Sequence, residues 1–504
     1  MLPTILLLAA TACSSARVAR ETALLGERYA MYGFRGVVLV STGGKVVLDR
    51  GFGGVTRDTR FDPGSIMKTF VAAAMLRLEA DGRLRTSDRI SKYLGPLPAE
   101  KEAITIDQLL LHTSGLPLDA PPTTVDVVAA LREAKLRSAP GAEYSYSNFG
   151  YGVALQIVER VSGQPFAVYA RKQLLEPAQM RESRFWTEEP RPGEVMAKAW
   201  SGNSDEELTE AEEPKRLAPE SPMWGKYIFG AGGLVTTAAD LHRWWRALQE
   251  SEVLPRDVTK KMFTAAIEGQ GYGWNIKPPK IYRGGLIRGA FISMLAAWRD
   301  AGAVLVYLID RNTGWHAPLE KNVERIVRHQ PHVVPPAVVT MEPPARAIGT
   351  FGGVRITRDG NDLLVAGESQ EALSLLWSMS AERRAVAARL NEQTEGEVLG
   401  TAPHPSSSRN YQTFVRKGDT IVRVISDGDK VLTTATGVPR SAMRRFRMTA
   451  PNTLASYDVA NDRVLTLTLH DDTIELTNGA ERLAFRSATR ADERPPAARP
   501  GRQR

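Results

Sequence analysis

A single cysteine in 504 residues, Cys13, excludes any internal disulfide. The seven histidines are not grouped at metal-ligand spacing, so no metal site is expected, and no cofactor motif stands out. No G-x-S-x-G occurs, which removes support for a Ser-His-Asp triad of the α/β-hydrolase kind. Gly230-Ala231-Gly232-Gly233 is not part of a G-x-x-x-x-G-K, so it reads as packing rather than as a phosphate loop. The net charge of +8 resides partly in residues 490–504, and no Lys/Arg stripe with interleaved aromatics accompanies it. Nucleic acid is therefore not an expected partner. What the chain does have is 43% hydrophobic residues and nine tryptophans, ample for a packed core, at a length that suggests two or three domains.

The remaining chemistry gathers around Asp62-Pro63-Gly64-Ser65-Ile66-Met67-Lys68, followed by the apolar run Val71 to Leu78. Pro63 and Gly64 break any preceding strand, and Met67, Val71, Met75 and Leu78 recur at spacings of three and four. The spacing predicts a buried helix closed by Asp81-Gly82, with Ser65 at its N-terminus, where amides lack helical partners. Lys68 lies one turn on, so its amine can approach the Ser65 hydroxyl. A serine hydroxyl needs a neighbouring base to become a nucleophile, and burial lowers a lysine pKa toward that role.

Residues 1–13 read as a signal segment. The run Leu2 to Ala10 is too short to span a bilayer, and Ala10-Thr11-Ala12 places small residues before Cys13. The arrangement resembles a bacterial lipobox, although no Lys or Arg precedes the run and Ala10 stands where Leu is usual. That resemblance implies export, lipidation of Cys13 and membrane anchoring through it, with simple secretion and then a cytoplasmic protein as the alternatives.

Further along, a helix is predicted over Val18 to Met31, then strands at Gly36–Val40 and Val46–Leu48 joined by a hairpin turn. Helices follow at Ile104–Leu111, Val125–Leu136 and from the Tyr146-Ser147-Asn148 region through Val161. His112 closes the first of these, where it would satisfy terminal carbonyls. Residues 188–222 lack periodicity and read as a surface excursion bordering a cleft. A capped helix to about Gln249 carries Trp244-Trp245, expected in the core or between modules. Strands are expected at Gly273–Ile276, Ile292–Trp298 and Ala303–Ile309, with a closing helix over Asn322–Val327. Prolines in 329–344 suggest a linker. Beyond it a strand-rich module over 345–488 includes Val354–Ile356, Leu363–Val365, Thr413–Val415, Ile421–Ile425 and Val464–Leu469, with a helix at Glu382–Leu390. A basic tail, 489–504, reads as disordered.

Three stretches in order, Ser65-x-x-Lys68, Tyr146-Ser147-Asn148 and Arg283-Gly284-Gly285, have long flanks that strengthen them. Those flanks include Leu109-Leu110-Leu111-His112-Thr113-Ser114-Gly115-Leu116-Pro117, Tyr144 to Tyr151 and Gly230 to Leu234. Together, over about residues 28–328, they resemble the serine β-lactamase, penicillin-binding and esterase superfamily, in its class C-like branch. The resemblance implies an α+β fold: an antiparallel sheet flanked by helices plus a helical subdomain, spanning 14–328, ahead of the strand-rich module. It also implies acyl transfer without a cofactor, with Ser65 attacking a carbonyl and Lys68 and Tyr146 sharing its proton. Tyr146 serves as base in both half-reactions only if cations stabilise its phenolate, since a free phenol titrates near 10. Asn148 would bind substrate or hold Lys68. Gly284 and Gly285 fit a strand edge that substrate approaches closely. The N–H groups of Ser65 and Leu286 would form the oxyanion hole.

Arg283 departs from the family, which carries Lys or His there. One reading has it grip a substrate carboxylate while lowering the Tyr146 pKa; the other makes it a surface arginine in a drifted site. On the first reading, Arg283→Ala costs more on carboxylate-bearing substrates than on neutral esters. Arg283 also argues against an efficient β-lactamase and for an esterase or peptidase. The expectation is an exported serine hydrolase acting on a small-molecule or peptide substrate, whether ester, D-amino-acid peptide or β-lactam. The alternative is a catalytically weak envelope protein that binds peptide or glycan. Oligomeric state is left open.

Overall fold

The computed structural model describes residues 2–121, 126–198, 200–201, 209–210, 226–287, 291–311, 314–377, 397–403, 410–417, 420–427, 430–436, 443–459 and 461–487. Its first sheet has six antiparallel strands: β1 (Gly36–Thr42), β2 (Lys45–Phe52), β3 (Asn275–Lys277), β4 (Lys280–Leu286), β5 (Ile292–Trp298) and β6 (Ala303–Ile309). Their spatial order is β2-β1-β6-β5-β4-β3, so the first and last parts of this region meet where β1 pairs with β6. β6 is buried along its whole length because both faces are covered. On one face Leu39, Leu295, Val306 and Leu308 join a helical core; on the other Val40, Leu305, Tyr307 and Ile309 pack under the helices Leu2–Met31 and His316–Val327.

The N-terminal helix starts at Leu2 rather than Val18, because no Gly or internal Pro interrupts the helix formers between them. Cys13 lies within it. No helix among the described residues is long and apolar enough to cross a membrane. The serine helix, Met67–Ala80, buries eleven of its fourteen residues and forms the centre of the helical core. Phe70 stacks on Trp244 at 4.1 Å, and Trp245 packs against Phe263 and Trp274, so both tryptophans belong to this core and not to a module interface.

The helix expected over Ile104–Leu111 is shortened to Ile106–Leu110 by a capping box at Thr105 and Gln108. That over Val125–Leu136 becomes Val127–Glu133, capped by the Asp126 carboxylate. Part of the expected excursion, including 202–208 and 211–222, lies outside the described residues. Before it the chain is tied down: Met196 bridges Arg60, and Glu194 is buried against Arg184. The segment after Arg328 is irregular yet does not hang free. Val333, Val334 and Val338 pack on the core beneath the sheet, and Val339 N–H donates to Met448 O.

The second region is an antiparallel meander of eight strands from Gly349–Phe351 to Arg482–Arg486, interrupted by a four-stranded sheet over 397–436. Phe351 bridges Ser487, so the meander closes into a barrel around Val354, Leu363, Phe446, Leu465 and Leu476. The helix expected at Glu382–Leu390 and the tail beyond 487 lie outside the described residues. The barrel is joined to the first region by a buried cluster. Tyr457 stacks on Trp315 at 5.5 Å, its Oη lies 3.0 Å from that of Tyr29, and it donates to Asp462 at 2.6 Å.

Candidate active site

The site is assembled where the start of the serine helix meets the edge of the sheet. Asp62 is buried and accepts the Gly64 N–H at 2.7 Å, which fixes the turn ahead of a short 3₁₀ turn, Gly64–Ile66. Gly64 has φ +53, a conformation that glycine adopts freely. Ser293 on β5 donates its hydroxyl to Pro63 O at 2.7 Å and pins that turn to the sheet. Gly285 makes the approach possible: a Cβ there would sit 1.9 Å from Pro63 O.

Ser65 is partly exposed, and its Oγ lies 3.0 Å from Lys68 Nζ and 2.8 Å from Tyr146 Oη. Lys68 is fully buried, and its other two donors go to Asn148 Oδ1 at 2.8 Å and Ala231 O at 3.4 Å. The Gly230–Gly233 stretch thus supplies a carbonyl to the site as well as packing. Asn148, the first residue of the helix Asn148–Ser162, is oriented by donating its Nδ2 to exposed Asp119 at 3.0 Å. Ser147 caps this helix, accepting the Gly150 N–H at 2.8 Å.

Arg283 lies on β4 and is 3% exposed, which excludes the surface-arginine reading. Its Nε donates to Ser65 O at 3.0 Å and its Nη2 to Tyr146 Oη at 3.0 Å. The edge formed by Nε and Nη2 is therefore engaged within the protein, and the Nη1 hydrogens with the second Nη2 hydrogen are the donors left for a substrate. Leu286, at the end of the same strand, exposes 52% of its surface toward solvent. Its backbone nitrogen lies 3.1 Å from where a Cβ on Gly64 would stand, beside the Gly64–Ser65 peptide.

Burial lowers the Lys68 pKa to about 8, partly offset by the facing Tyr146. Burial alone would raise Tyr146, but the charges of Lys68 and Arg283 outweigh it and bring the phenol down to about 8. The four groups can hold their shared protons in two ways. In one, Tyr146 is a phenolate accepting from Arg283 and Ser65, while Lys68 donates to Ser65. In the other, neutral Lys68 accepts a hydrogen bond from the Ser65 hydroxyl, and Tyr146 donates to Ser65 while still accepting from Arg283. Every bond is satisfied in both, and the two states carry the same number of protons. The serine hydroxyl thus faces a proton acceptor in either arrangement.

All the residues singled out in the three motifs meet here: Ser65, Lys68, Tyr146, Asn148, Arg283 and the Gly284-Gly285-Leu286 edge. Cys13 is on the N-terminal helix, outside this cluster. His112 differs from expectation. Its ring does not serve the end of its helix; it turns inward against Tyr146, with ring centroids 4.4 Å apart. Asp119 and Ser293 also serve the site, and their local sequence carries no signal of it, because their partners lie 29 and 230 residues away. Among the described residues no group of His, Cys, Asp and Glu could hold a metal ion.

PbpX of Bacillus subtilis (strain 168) is 28% identical over 290 residues, covering 55% of this chain and 70% of that protein. Two solved structures share the fold. The octameric penicillin-binding protein homologue from Pyrococcus abyssi covers 91% of this chain and 97% of its own, with TM-score 0.54 at 17% identity. The D-amino acid amidase from Ochrobactrum anthropi SV3 covers 62% and 99%, with TM-score 0.51 at 19% identity. The family model described as Beta-lactamase matches residues 22–327, well over half of the sequence. The chain belongs to the β-lactamase family of serine hydrolases.

Proposed function

We propose that the protein hydrolyses an ester or amide through an acyl-enzyme formed at Ser65. One observation carries this reading: Ser65 Oγ is within hydrogen-bond reach of both Lys68 Nζ (3.0 Å) and Tyr146 Oη (2.8 Å), two groups held near pKa 8. The pair takes the hydroxyl proton as Ser65 attacks the carbonyl. The Ser65–carbonyl bond forms as the carbonyl π pair moves to oxygen, where the Ser65 and Leu286 amides receive it. Collapse expels the leaving alcohol or amine with the proton returned by the pair. Water then repeats the sequence on the acyl-enzyme, with Tyr146 and Lys68 again taking the proton. Asn148 holds Lys68 in place, and Arg283 stabilises the phenolate.

The amidase of similar fold makes D-amino-acid amides the first substrates to try, beside p-nitrophenyl esters, D-Ala-D-Ala peptides and nitrocefin. The test assays this panel on wild type and Ser65→Ala, with labelling by a fluorophosphonate or a fluorescent penicillin. Turnover and labelling of wild type, both lost in the variant, support the reading. A wild type that neither labels nor turns over any of the panel favours a binding protein of the envelope. Export and lipid anchoring rest on the sequence of residues 1–13, and mass spectrometry of Cys13 from the native host tests them.

A further inference from the structure

Tyr146 reaches Ser65 across 81 residues of sequence, on a stretch that precedes the helix Asn148–Ser162 and has no regular structure of its own. One residue holds it on three sides. The His112 carbonyl accepts the Ser145 N–H at 2.7 Å, and His112 Nδ1 accepts the Ser147 N–H at 3.1 Å. The imidazole lies against the phenol ring, 4.4 Å between centroids and tilted by 36°. Both amides flanking Tyr146 are thus tied to the same residue. His112 is 1% exposed and sits at φ +60, a left-handed conformation uncommon outside glycine. A strained backbone of this kind persists where its surroundings over-determine it, often at a functional site.

We propose that His112 is the positioning residue for Tyr146, bracketing it by two hydrogen bonds and a ring contact so that its hydroxyl stays between Ser65 and Arg283. The inference rests on the reading of Tyr146 as proton acceptor for Ser65. Accepting at Nδ1 requires a neutral ring with its proton on Nε2. Burial, reinforced by the Arg283 and Lys68 charges, holds His112 well below the usual histidine range. The bracket is therefore intact throughout the range in which Lys68 and Tyr146 titrate, and His112 adds no third positive charge.

The test uses the full chain, p-nitrophenyl butyrate and three variants, with fluorophosphonate titration to count competent sites. His112→Ala removes acceptor and ring. His112→Asn keeps an acceptor near Nδ1 and tolerates the left-handed backbone. Tyr146→Phe is the control. Per competent site, His112→Ala is expected to lose roughly 10- to 100-fold in kcat with KM within about twofold. Its pH midpoint should move upward as Tyr146 leaves the cations. His112→Asn should recover most of both. A His112→Ala enzyme with unchanged per-site kcat and midpoint overturns the proposal, as does a His112→Asn enzyme equally impaired. If Tyr146→Phe is as active as wild type, the reading of Tyr146 falls and the proposal with it; an inactive Tyr146→Phe beside an unaffected His112→Ala overturns the proposal alone.

Discussion

Replacing Arg283 by Gln removes a cationic donor from a point 3.0 Å from Tyr146 Oη. At about 4 Å between charge centres and an effective dielectric of about 20, a cation–phenolate pair is worth about 4 kcal/mol. That corresponds to about three pK units at 1.36 kcal/mol each. Water entering beside the shorter side chain screens the remaining charges, so a rise of about one to two units in the phenol is the expected outcome. The midpoint of kcat/KM against pH, near 8 in wild type, should move to about 9–10. Activity at pH 7 should then fall roughly 10- to 100-fold, while the two enzymes converge near pH 10. The assay is the pH profile of p-nitrophenyl butyrate hydrolysis, corrected for spontaneous hydrolysis and normalised to titrated sites. The loss should appear on neutral as well as carboxylate-bearing esters, because Nε and Nη2 serve Ser65 O and Tyr146 whatever the substrate. A loss uniform across pH refutes the electrostatic argument. A loss confined to carboxylate-bearing substrates restores the clamp.

Two further substitutions probe the framework. Gly285→Ala puts a methyl 1.9 Å from Pro63 O and 2.6 Å from Ser293 Oγ, so the serine turn or β4 must shift. Fluorophosphonate labelling should slow by about 100-fold, and unchanged labelling would show that the close approach is not needed. Tyr457→Ala removes a buried ring stacked on Trp315 and takes one hydrogen bond each from Tyr29 and Asp462, which keep Asn322 as a partner. It should cost about 3–5 kcal/mol, read as a lower urea midpoint in tryptophan fluorescence; an unmoved midpoint would mean the barrel and the hydrolase region are not coupled through this cluster.

The sequence carried the fold furthest where burial is complete. Ile292–Trp298 and Ala303–Ile309 are strands over the residues expected, because continuous apolar runs bounded by turns leave little freedom. The serine helix was legible for the same reason, down to its Asp81-Gly82 close. Other strands of the barrel have weak signatures: Arg444–Ala450 and Thr473–Thr477 alternate but with only two apolar inward residues each, and Thr453–Asp458 is buried along five of its six residues with the polar Ser456 and Asp458 breaking its apolar run. The stretch 329–344 reads as a linker from its prolines, yet scattered valines anchor it to packed surfaces that no local pattern reveals. Within the site, residues bound to motifs could be named from sequence. His112 stood inside such a motif, but its inward turn depends on a left-handed backbone and on an amide 35 residues away. Asp119 had no motif at all.

The claim beneath all of this is that Ser65 loses its proton to Lys68 and Tyr146 acting together. The most direct measurement is the rate at which a fluorophosphonate phosphonylates Ser65, with loss of fluoride, as a function of pH, in wild type and in Tyr146→Phe. The wild-type rate should rise through pH 8 to a plateau, and the Tyr146→Phe rate should be at least about 100-fold slower near neutrality. Superimposable profiles for the two proteins would contradict the claim.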